Sequence, residues 1–242
     1  RHRRRCGRPR ADSPFPFRVT RAFAARMRPG DVDDALLRQV LPLSVEDEDV
    51  AGYSADPLQE TSHYADGALI RKYQGRALLM MTGACAIHCR YCFRREFPYG
   101  ESVGNAALSA ALGALAADTS LHEVILSGGD PLVLDDAQLA SLVTRLDALP
   151  HVRRLRIHSR LPVVLPARIT SRLLDVLATA RMNTALVIHA NHAQELDSEV
   201  RAALAALKRA GVTLLNQAVL LRGVNDDAMT LAALCETLFE AG

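Results

Sequence analysis

Short apolar runs alternate with longer segments of helical spacing through most of the chain. The apolar runs lie at residues 77–82, 122–127, 153–158, 184–189 and 212–220. The segments in which apolar residues recur every three or four positions lie at residues 105–117, 136–148, 169–180, 195–210 and 227–240. Strands that alternate with helices of this length are typical of βαβ units and a parallel sheet. The pattern therefore predicts an α/β fold with five strand–helix units.

The chain before residue 71 has a less regular pattern. Residues 1–10 contain six arginines and no acid, and we expect residues 1–16 to form a disordered basic tail. Acidic residues precede the apolar positions of residues 31–40, which predicts a short helix there. The predicted organisation is a tail over 1–16, a mainly helical or irregular extension over 17–70 and the α/β unit over 71–242.

Length and composition fit one large globular unit. The chain has 242 residues, of which 49% are hydrophobic, and this is enough for a full α/β core. No apolar stretch approaches the ~20 residues of a membrane-spanning helix. Of the 29 basic and 27 acidic residues, six arginines lie in residues 1–10, so the rest of the chain has a net charge of −4. We therefore expect neither a membrane nor a nucleic acid as a partner.

Polar residues cluster where the predicted strands end. The clusters lie at residues 85–92, 127–130, 158–160, 189–192 and 216–217. Because the active sites of α/β barrels and open α/β sheets form at the carboxyl ends of the strands, we expect these residues on one rim. A closed barrel needs at least one strand more than the pattern shows. We therefore expect a partial TIM-type (β/α) barrel whose C-terminal end is missing from this chain.

Three cysteines follow the first of these strands, and their spacing points to a metal centre. Cys85, Cys89 and Cys92 form a CxxxCxxC pattern, and cysteine thiolates hold iron–sulfur clusters. A four-iron cluster with three cysteine ligands has one iron without a protein ligand, and a substrate can bind there. Catalytic zinc sites differ from structural ones in the same way, because they keep one coordination position free of protein ligands. The alternative is structural zinc with His88 as a fourth ligand. The five cysteines are an odd number and no apolar leader precedes them, so we expect a reducing, cytoplasmic setting.

Further motifs suggest ligand-binding groups on the same rim. The segment Ser127-Gly-Gly-Asp130 follows a predicted strand, and its glycines allow the backbone to approach a ligand closely. Arg94 offers a planar fork for a carboxylate. The cations and the aromatic residue of segment 71–76 suit a phosphate-bearing aromatic cofactor, or else form a surface charge run. His189 and His192 suit either a metal site or a hydrogen-bonding pocket.

Taken together, these residues resemble the radical S-adenosylmethionine (SAM) lysine 2,3-aminomutase family. The similarity runs from about Phe17 to Gly242. The segments that carry it are DALLRQV at 34–40, DPL at 56–58, CAIHCRYCFRREFPY at 85–99, SGGDPL at 127–132, RLRIHSRLPVVLPARIT at 154–170 and GVTLLNQAVLLRGVND at 211–226. Within the family, the chain is most similar to the bacterial members that serve the β-lysylation of elongation factor P.

The resemblance implies a set of site residues. Cys85, Cys89 and Cys92 would hold a [4Fe–4S] cluster, and Arg94 would bind the substrate carboxylate. The residues expected to contact SAM are Ser127, Gly128, Gly129, Asp130, Ser159, His189 and Gln217. Those expected around pyridoxal 5′-phosphate (PLP) are Lys72, Tyr73 and Arg76. The family's PLP-anchoring lysine is expected beyond Gly242, so no residue of this chain is assigned that catalytic role.

The resemblance also implies a function. The chain would be an isomerase that uses the cluster, SAM and PLP to move the α-amino group of L-lysine to the β-carbon, which gives (R)-β-lysine. The expected partners are lysine, an electron donor such as flavodoxin or ferredoxin and, indirectly, elongation factor P with its lysyl ligase. Two alternatives stay open: an aminomutase of glutamate or arginine, and a truncated, inactive remnant that binds a cluster and SAM.

Overall fold

A computed structural model describes residues 8–48, 50–65, 68–99 and 104–242. In these residues one sheet contains seven strands in the order of the chain. The strands are β1 (Tyr64–Ala65), β2 (Leu69–Tyr73), β3 (Arg76–Thr82), β4 (Glu123–Gly128), β5 (Arg154–Ser159), β6 (Asn183–Ile188) and β7 (Thr213–Asn216). The helices are α1 (Arg21–Ala24), α2 (Asn105–Ala117), α3 (Asp136–Asp147), α4 (Leu161–Val164), α5 (Ser171–Thr179), α6 (Ser198–Arg209) and α7 (Ala228–Ala241).

Strands β3 to β7 are parallel, and a helix follows each of them. The predicted strand–helix units of this region are confirmed, and α2 has the predicted bounds 105–117. β7 ends at Asn216 and not at residue 220, because a side chain replaces the strand pairing beyond it. The main-chain N–H of Val219 donates to the Asn191 side-chain oxygen at 2.8 Å. The parallel strands and their helices form part of a (β/α) barrel, as the pattern predicted.

Alternation along the parallel strands separates an apolar face from a polar one. On β5, Leu155 and Ile157 are at most 1% exposed, and they belong to one hydrophobic core with the four buried apolar residues of α3. The intervening residues Arg156 and His158 are partly accessible. Because successive side chains of a strand point to opposite faces, Arg156 and His158 mark the inner face of the partial barrel. This inner face carries the polar residues of the site.

A β-hairpin precedes the parallel strands, and the sequence pattern did not predict it. β2 and β3 are antiparallel and are joined at residues 74–75, where Gly75 has a φ of +75°. The charged segment 71–76, expected to lie before the first strand, belongs to this hairpin. Its charges obscured the strand signal, because only Leu69 and Ile70 of β2 are buried.

The helix predicted over residues 31–40 is wrong. This segment consists of turns and a 3-10 helix at Leu37–Gln39. The Asp34 carboxylate accepts hydrogen bonds from the main-chain N–H groups of Leu36 and Leu37, each at 2.9 Å. An aspartate that bonds to nearby main-chain donors stabilises turns in competition with a helix, which explains the difference.

Part of the predicted basic tail contacts the rest of the chain. Pro9 forms an isolated antiparallel bridge with Leu43, and the Arg10 N–H donates to the Pro42 carbonyl at 3.0 Å. Residues 1–7, which carry most of the arginines, lie outside the described residues. The boundaries of the tail and of the extension therefore stay predictions.

Candidate active site at the carboxyl ends of the parallel strands

The three cysteines lie in the loop that follows β3, here called the Cys loop (residues 83–92). The N-terminal extension holds this loop in place. Arg18 Nη1 donates to the Cys85 carbonyl at 3.2 Å, and the His88 N–H donates to the Arg18 carbonyl at 3.0 Å. The His88 ring stacks on the Phe15 ring, with centroids 4.3 Å apart. The position of the Cys loop therefore depends on residues far upstream in the chain.

One ring nitrogen of His88 contacts the main chain and not a cysteine. This nitrogen, Nδ1, lies 2.9 Å from the Pro16 carbonyl oxygen. Within the described residues, no three His, Cys, Asp or Glu side chains form a group that holds one metal ion. Structural zinc would need four ligands on a single ion. A four-iron cluster makes a different demand, because each of the three cysteines would bind a different iron and the fourth iron would have no cysteine ligand.

The glycines after β4 bring two loops together. The Gly129 N–H donates to the Thr82 carbonyl at 2.6 Å, and the Asp130 N–H donates to the Ala84 carbonyl at 2.9 Å. A Cβ atom on Gly128, whose φ is +123°, would lie 2.5 Å from the Thr82 carbonyl oxygen. A Cβ atom on Gly129 would overlap the Ala84 carbonyl. The N–H groups of Gly129 and Asp130 thus bind the end of β3 and the start of the Cys loop, and not a ligand.

Asp130 organises the neighbouring strand ends with its carboxylate. Its Oδ1 accepts hydrogen bonds from the Ser159 hydroxyl at 2.7 Å and the Leu132 N–H at 3.0 Å. Its Oδ2 accepts from the N–H groups of Arg160 at 2.8 Å and Leu161 at 3.1 Å. Burial raises the pKa of this carboxyl group, although the hydrogen bonds act in the opposite direction. The side chains of Asp130 and Ser159 bind each other, and their contact with SAM stays a prediction.

Arg94 is buried beside the Cys loop and is held by a carboxylate of the protein itself. Its Nε and Nη2 donate to the two carboxylate oxygens of Glu60 at 2.6 and 2.7 Å. Its Nη1 donates to the Ser127 hydroxyl at 2.8 Å. A guanidinium has five N–H donors, so these contacts leave one N–H on each of Nη1 and Nη2. The predicted carboxylate-binding residue is therefore preoriented and retains two donors.

A second buried arginine, Arg160, touches the Cys loop directly. Its Nη1 donates to Cys89 Sγ at 2.8 Å. Its Nη2 donates to Gln39 Oε1 at 2.6 Å and to Glu195 Oε2 at 3.0 Å. Burial lowers the pKa of Arg160, but Cys89, Tyr91 and Glu195 outweigh this effect and raise the pKa well above its usual value. Arg160 is therefore a fully charged group beside one of the predicted cluster ligands.

His158, His189 and Gln217 meet on the inner face. The imidazole rings of His158 and His189 are arranged edge to face, with their centroids 6.0 Å apart. Gln217 forms a hydrogen bond with His158. Burial lowers the pKa of His158 to about 4 and that of His189 to about 3, so both rings are neutral at pH 7. His192 does not join them, because its Nδ1 accepts the Gln194 N–H at 3.1 Å. The metal-site alternative for His189 and His192 is thus not supported.

The residues predicted around PLP lie at the turn of the β2–β3 hairpin. β3 begins at Arg76 and has seven residues, so at ~3.3 Å per residue about 20 Å separate this turn from the Cys loop. Lys72 Nζ donates to the Leu58 carbonyl at 2.7 Å, and Arg76 Nε lies 3.6 Å from Glu123 Oε2. Tyr73 is 64% exposed. The structure does not bring these residues together with the cysteines.

Known proteins match most of the chain. Residues 79–235 match the model of the Radical SAM superfamily. The L-lysine 2,3-aminomutase of Escherichia coli K12 is 53% identical over 229 residues, which are 94% of this chain and 67% of that protein. The chain belongs to the radical SAM lysine 2,3-aminomutase family. The L-lysine 2,3-aminomutases of Haemophilus influenzae and Clostridium subterminale are 45% and 36% identical and cover 94% and 86% of this chain, or 68% and 50% of their own length.

The Cys loop fits the [4Fe–4S] cluster that radical SAM membership implies. Burial is the main cause that raises the pKa of the Cys85 and Cys92 thiols, and Asp130 raises that of Cys85 further. Without a metal, both thiols therefore stay protonated. A metal ion deprotonates a coordinating thiol outright, so the irons would supply the positive charge that these buried sulfurs need. All four cysteines in the described part of the chain are free of disulfides.

The enzymes of this family are isomerases that use SAM as a cosubstrate. The inner face of the partial barrel fits this cosubstrate. His189 Nε2 is a buried polar atom with no hydrogen-bond partner among the described residues. Buried polar groups are hydrogen-bonded in the large majority of cases. We therefore expect the neutral His189 imidazole, at the end of β6, to form a hydrogen bond with a polar group of a ligand. SAM has polar groups of this kind.

Sequence reasoning missed four residues that shape the site: Gln39, Glu60, Arg160 and Glu195. Arg160 follows β5 in a polar cluster recognised from the sequence, so its place on the rim was predictable, while its cysteine partner was not. Gln39 lies in the 3-10 helix Leu37–Gln39, inside a segment that resembles the family, and Glu60 lies in an irregular segment. Their contacts were not predictable, because their partners are distant in the sequence.

Proposed function

We propose that this chain acts as an L-lysine 2,3-aminomutase, which moves the α-amino group of L-lysine to the β-carbon and produces (R)-β-lysine. The observation that carries the proposal is the Cys loop at the carboxyl ends of the parallel strands with the Arg94 guanidinium beside it. Relatives that match most of the chain, among them those of E. coli and H. influenzae, are L-lysine 2,3-aminomutases.

Arg94 is proposed to bind the α-carboxylate of the substrate. The remaining N–H donors on Nη1 and Nη2 suit a bidentate contact with a carboxylate. Glu60 and Ser127 hold the other three donors at 2.6–2.8 Å. The plane of the guanidinium is therefore set before a substrate arrives, and a preoriented contact places the reacting atoms without a further ordering cost.

The cluster and SAM define the chemistry of the proposed reaction. When bound, they supply the radical that starts the rearrangement. The part of the protein is to hold and shield them. Cys85, Cys89 and Cys92 are the proposed cluster ligands, and His189 Nε2 is the proposed polar contact to SAM. Phe15, which precedes the extension, stacks on His88 of the Cys loop.

We also propose PLP as a cofactor, on the strength of the family resemblance. Lys72, Tyr73 and Arg76 are assigned no PLP contact, because about 20 Å separate the hairpin turn from the Cys loop at the other end of β3. When bound, PLP would supply the chemistry that allows the amino group to migrate. Neither lysine of the chain suits covalent attachment, because Lys72 donates to the Leu58 carbonyl and Lys208 lies in the last turn of α6. No Schiff-base residue is assigned.

The cellular role follows from the proposed product. β-Lysine would be attached by a lysyl ligase to a lysine of elongation factor P, and a flavodoxin or ferredoxin would donate the electron. A cytoplasmic setting is proposed because the described cysteines are free thiols, which persist in reducing compartments. Among the described helices, none has the length and apolarity that crossing a bilayer requires.

The test is anaerobic reconstitution with iron and sulfide, followed by incubation with SAM, PLP, dithionite and isotope-labelled L-lysine. We expect labelled β-lysine by mass spectrometry. A [4Fe–4S]⁺ signal that changes on addition of SAM is expected in electron paramagnetic resonance (EPR). Cys89→Ser should abolish the signal and the product. Cys235→Ser, which changes an exposed cysteine on α7, should retain both.

The same assay separates the alternatives. Glutamate and arginine are offered in parallel reactions, and β-isomer from one of them instead of lysine would reassign the substrate. A normal cluster signal that responds to SAM, without product from any of the three amino acids, would identify an inactive remnant and refute the proposed activity.

A further inference from the structure

One predicted cluster ligand differs from the other two in its surroundings. In the described part of the chain, Cys89 alone among the three accepts a hydrogen bond from a charged side chain, Arg160 Nη1 at 2.8 Å. Arg160 is only 4% exposed. Water therefore screens its charge little, and its interaction with the sulfur is strong compared with that of a surface arginine.

Contacts on several sides hold Arg160 rigidly against the sulfur. Its main-chain N–H donates to Asp130 Oδ2, and its Nη2 donates to Gln39 Oε1 at 2.6 Å. The guanidinium carbon lies 5.2 Å from the Phe23 ring and 5.5 Å from the Tyr91 ring. Such a set of contacts fixes both the position and the direction of the N–H that points at Cys89.

We infer that Arg160 is a positioning residue that raises the reduction potential of the [4Fe–4S] cluster through its hydrogen bond to Cys89. In this step the [4Fe–4S]²⁺ cluster accepts one electron from a one-electron donor and becomes [4Fe–4S]⁺, and no proton is transferred. Hydrogen bonds to the sulfurs and the net charge around a cluster set its potential. A cation at a ligand sulfur stabilises the added negative charge and so favours the reduced state.

Glu195 opposes this effect from the other end of the guanidinium. Its carboxylate is fully buried and lies 3.0 Å from Arg160 Nη2. The N–H groups of Asn191 and His192 donate to it at 2.8 and 3.1 Å, which keeps it in place. Without the negative charge of Glu195, the positive charge of Arg160 acts more strongly on the cluster and raises its reduction potential further. Substitutions at Arg160 and Glu195 should therefore shift the potential in opposite directions.

The experiment is an EPR-monitored redox titration of the full chain after anaerobic reconstitution, without SAM or amino acid. In Arg160→Gln, the ratio of reduced to oxidised cluster at a given potential should fall at least tenfold, or about 59 mV for a one-electron couple. Arg160→Lys should show a smaller fall, because it retains the charge without the planar fork. Glu195→Gln should raise the ratio severalfold.

Arg26→Gln provides the matched control. Arg26 is a buried arginine of the same region whose Nη2 donates to the Val163 carbonyl at 2.6 Å. Its described hydrogen bonds go to carbonyl oxygens and not to a cysteine sulfur. Its replacement removes a nearby charge without touching the cluster ligand, and should shift the potential less than Arg160→Gln does.

Two results would overturn the inference: an unchanged potential in Arg160→Gln, or shifts of the same sign in Arg160→Gln and Glu195→Gln. If Arg160→Gln does not hold a cluster, the double variant Arg160→Gln/Glu195→Gln decides, because it removes both buried charges together. Its potential must lie below that of the wild type. The inference needs the cluster of the family but no amino acid, so its failure and the failure of the proposed lysine activity are distinguishable.

Discussion

Removing Glu60 leaves the Arg94 guanidinium buried without its carboxylate partner. Both side chains are 8% exposed, and two hydrogen bonds of 2.6 and 2.7 Å join them. Breaking a buried ion pair from one side costs about 3–5 kcal/mol, whereas replacing both partners by apolar residues of similar size is often nearly neutral. We therefore expect Glu60→Met and Arg94→Met each to lose about 3–5 kcal/mol of unfolding free energy. The double variant should lose less than either single variant.

Equilibrium unfolding in urea measures these differences. At an m-value of about 3 kcal/mol per M, each single substitution should lower the unfolding midpoint by about 1–1.7 M. Glu96→Met is the matched control, because Glu96 pairs with Arg95 at 3.4 Å but is 58% exposed. It should cost less than about 1 kcal/mol. A double variant that loses the sum of the two single losses would refute the reasoning, since it would show that the two charges do not depend on each other.

The remaining predictions concern stability and its pH dependence. Gly129→Ala should cost about 1–3 kcal/mol or more in urea unfolding, because the added Cβ overlaps the Ala84 carbonyl. The control Gly113→Ala, in α2 with nothing within 4 Å of the new Cβ, should instead gain about 0.5–1 kcal/mol, and a loss equal to that of Gly129→Ala would contradict the steric argument. Burial lowers the pKa of His158 from 6.5 to about 4, so the unfolded state binds more protons between these values. The contribution of His158 to stability is therefore complete above pH 6.5 and is lost as the pH falls towards 4. Between pH 7 and pH 5 this amounts to about 2 kcal/mol, which His158→Gln should remove from the pH dependence of unfolding; identical profiles for wild type and variant would refute it.

Local patterns account for the elements that were predicted correctly. On β5, Leu155 and Ile157 alternate with Arg156 and His158, and a period of two residues reports a strand with one buried face. The helices were found in the same way, from apolar residues three and four positions apart. The wrong helix over residues 31–40 also has a local cause, because the Asp34 carboxylate accepts the main-chain N–H groups of Leu36 and Leu37 and stabilises turns there.

The amino-acid sequence alone established the parallel strand–helix units, the rim on which polar residues collect and the three cysteines of the proposed cluster. Each of these follows from spacing within a short segment. The charge pairs inside the site were decided by the folded chain, because their members are far apart in sequence: 34 residues for Arg94 and Glu60, and 71 for Arg160 and Cys89. Such pairs form only when strand ends and loops converge and exclude water. A buried charge without a partner destabilises the folded protein. Each buried arginine of the site therefore lies beside a partner that no local sequence pattern reveals.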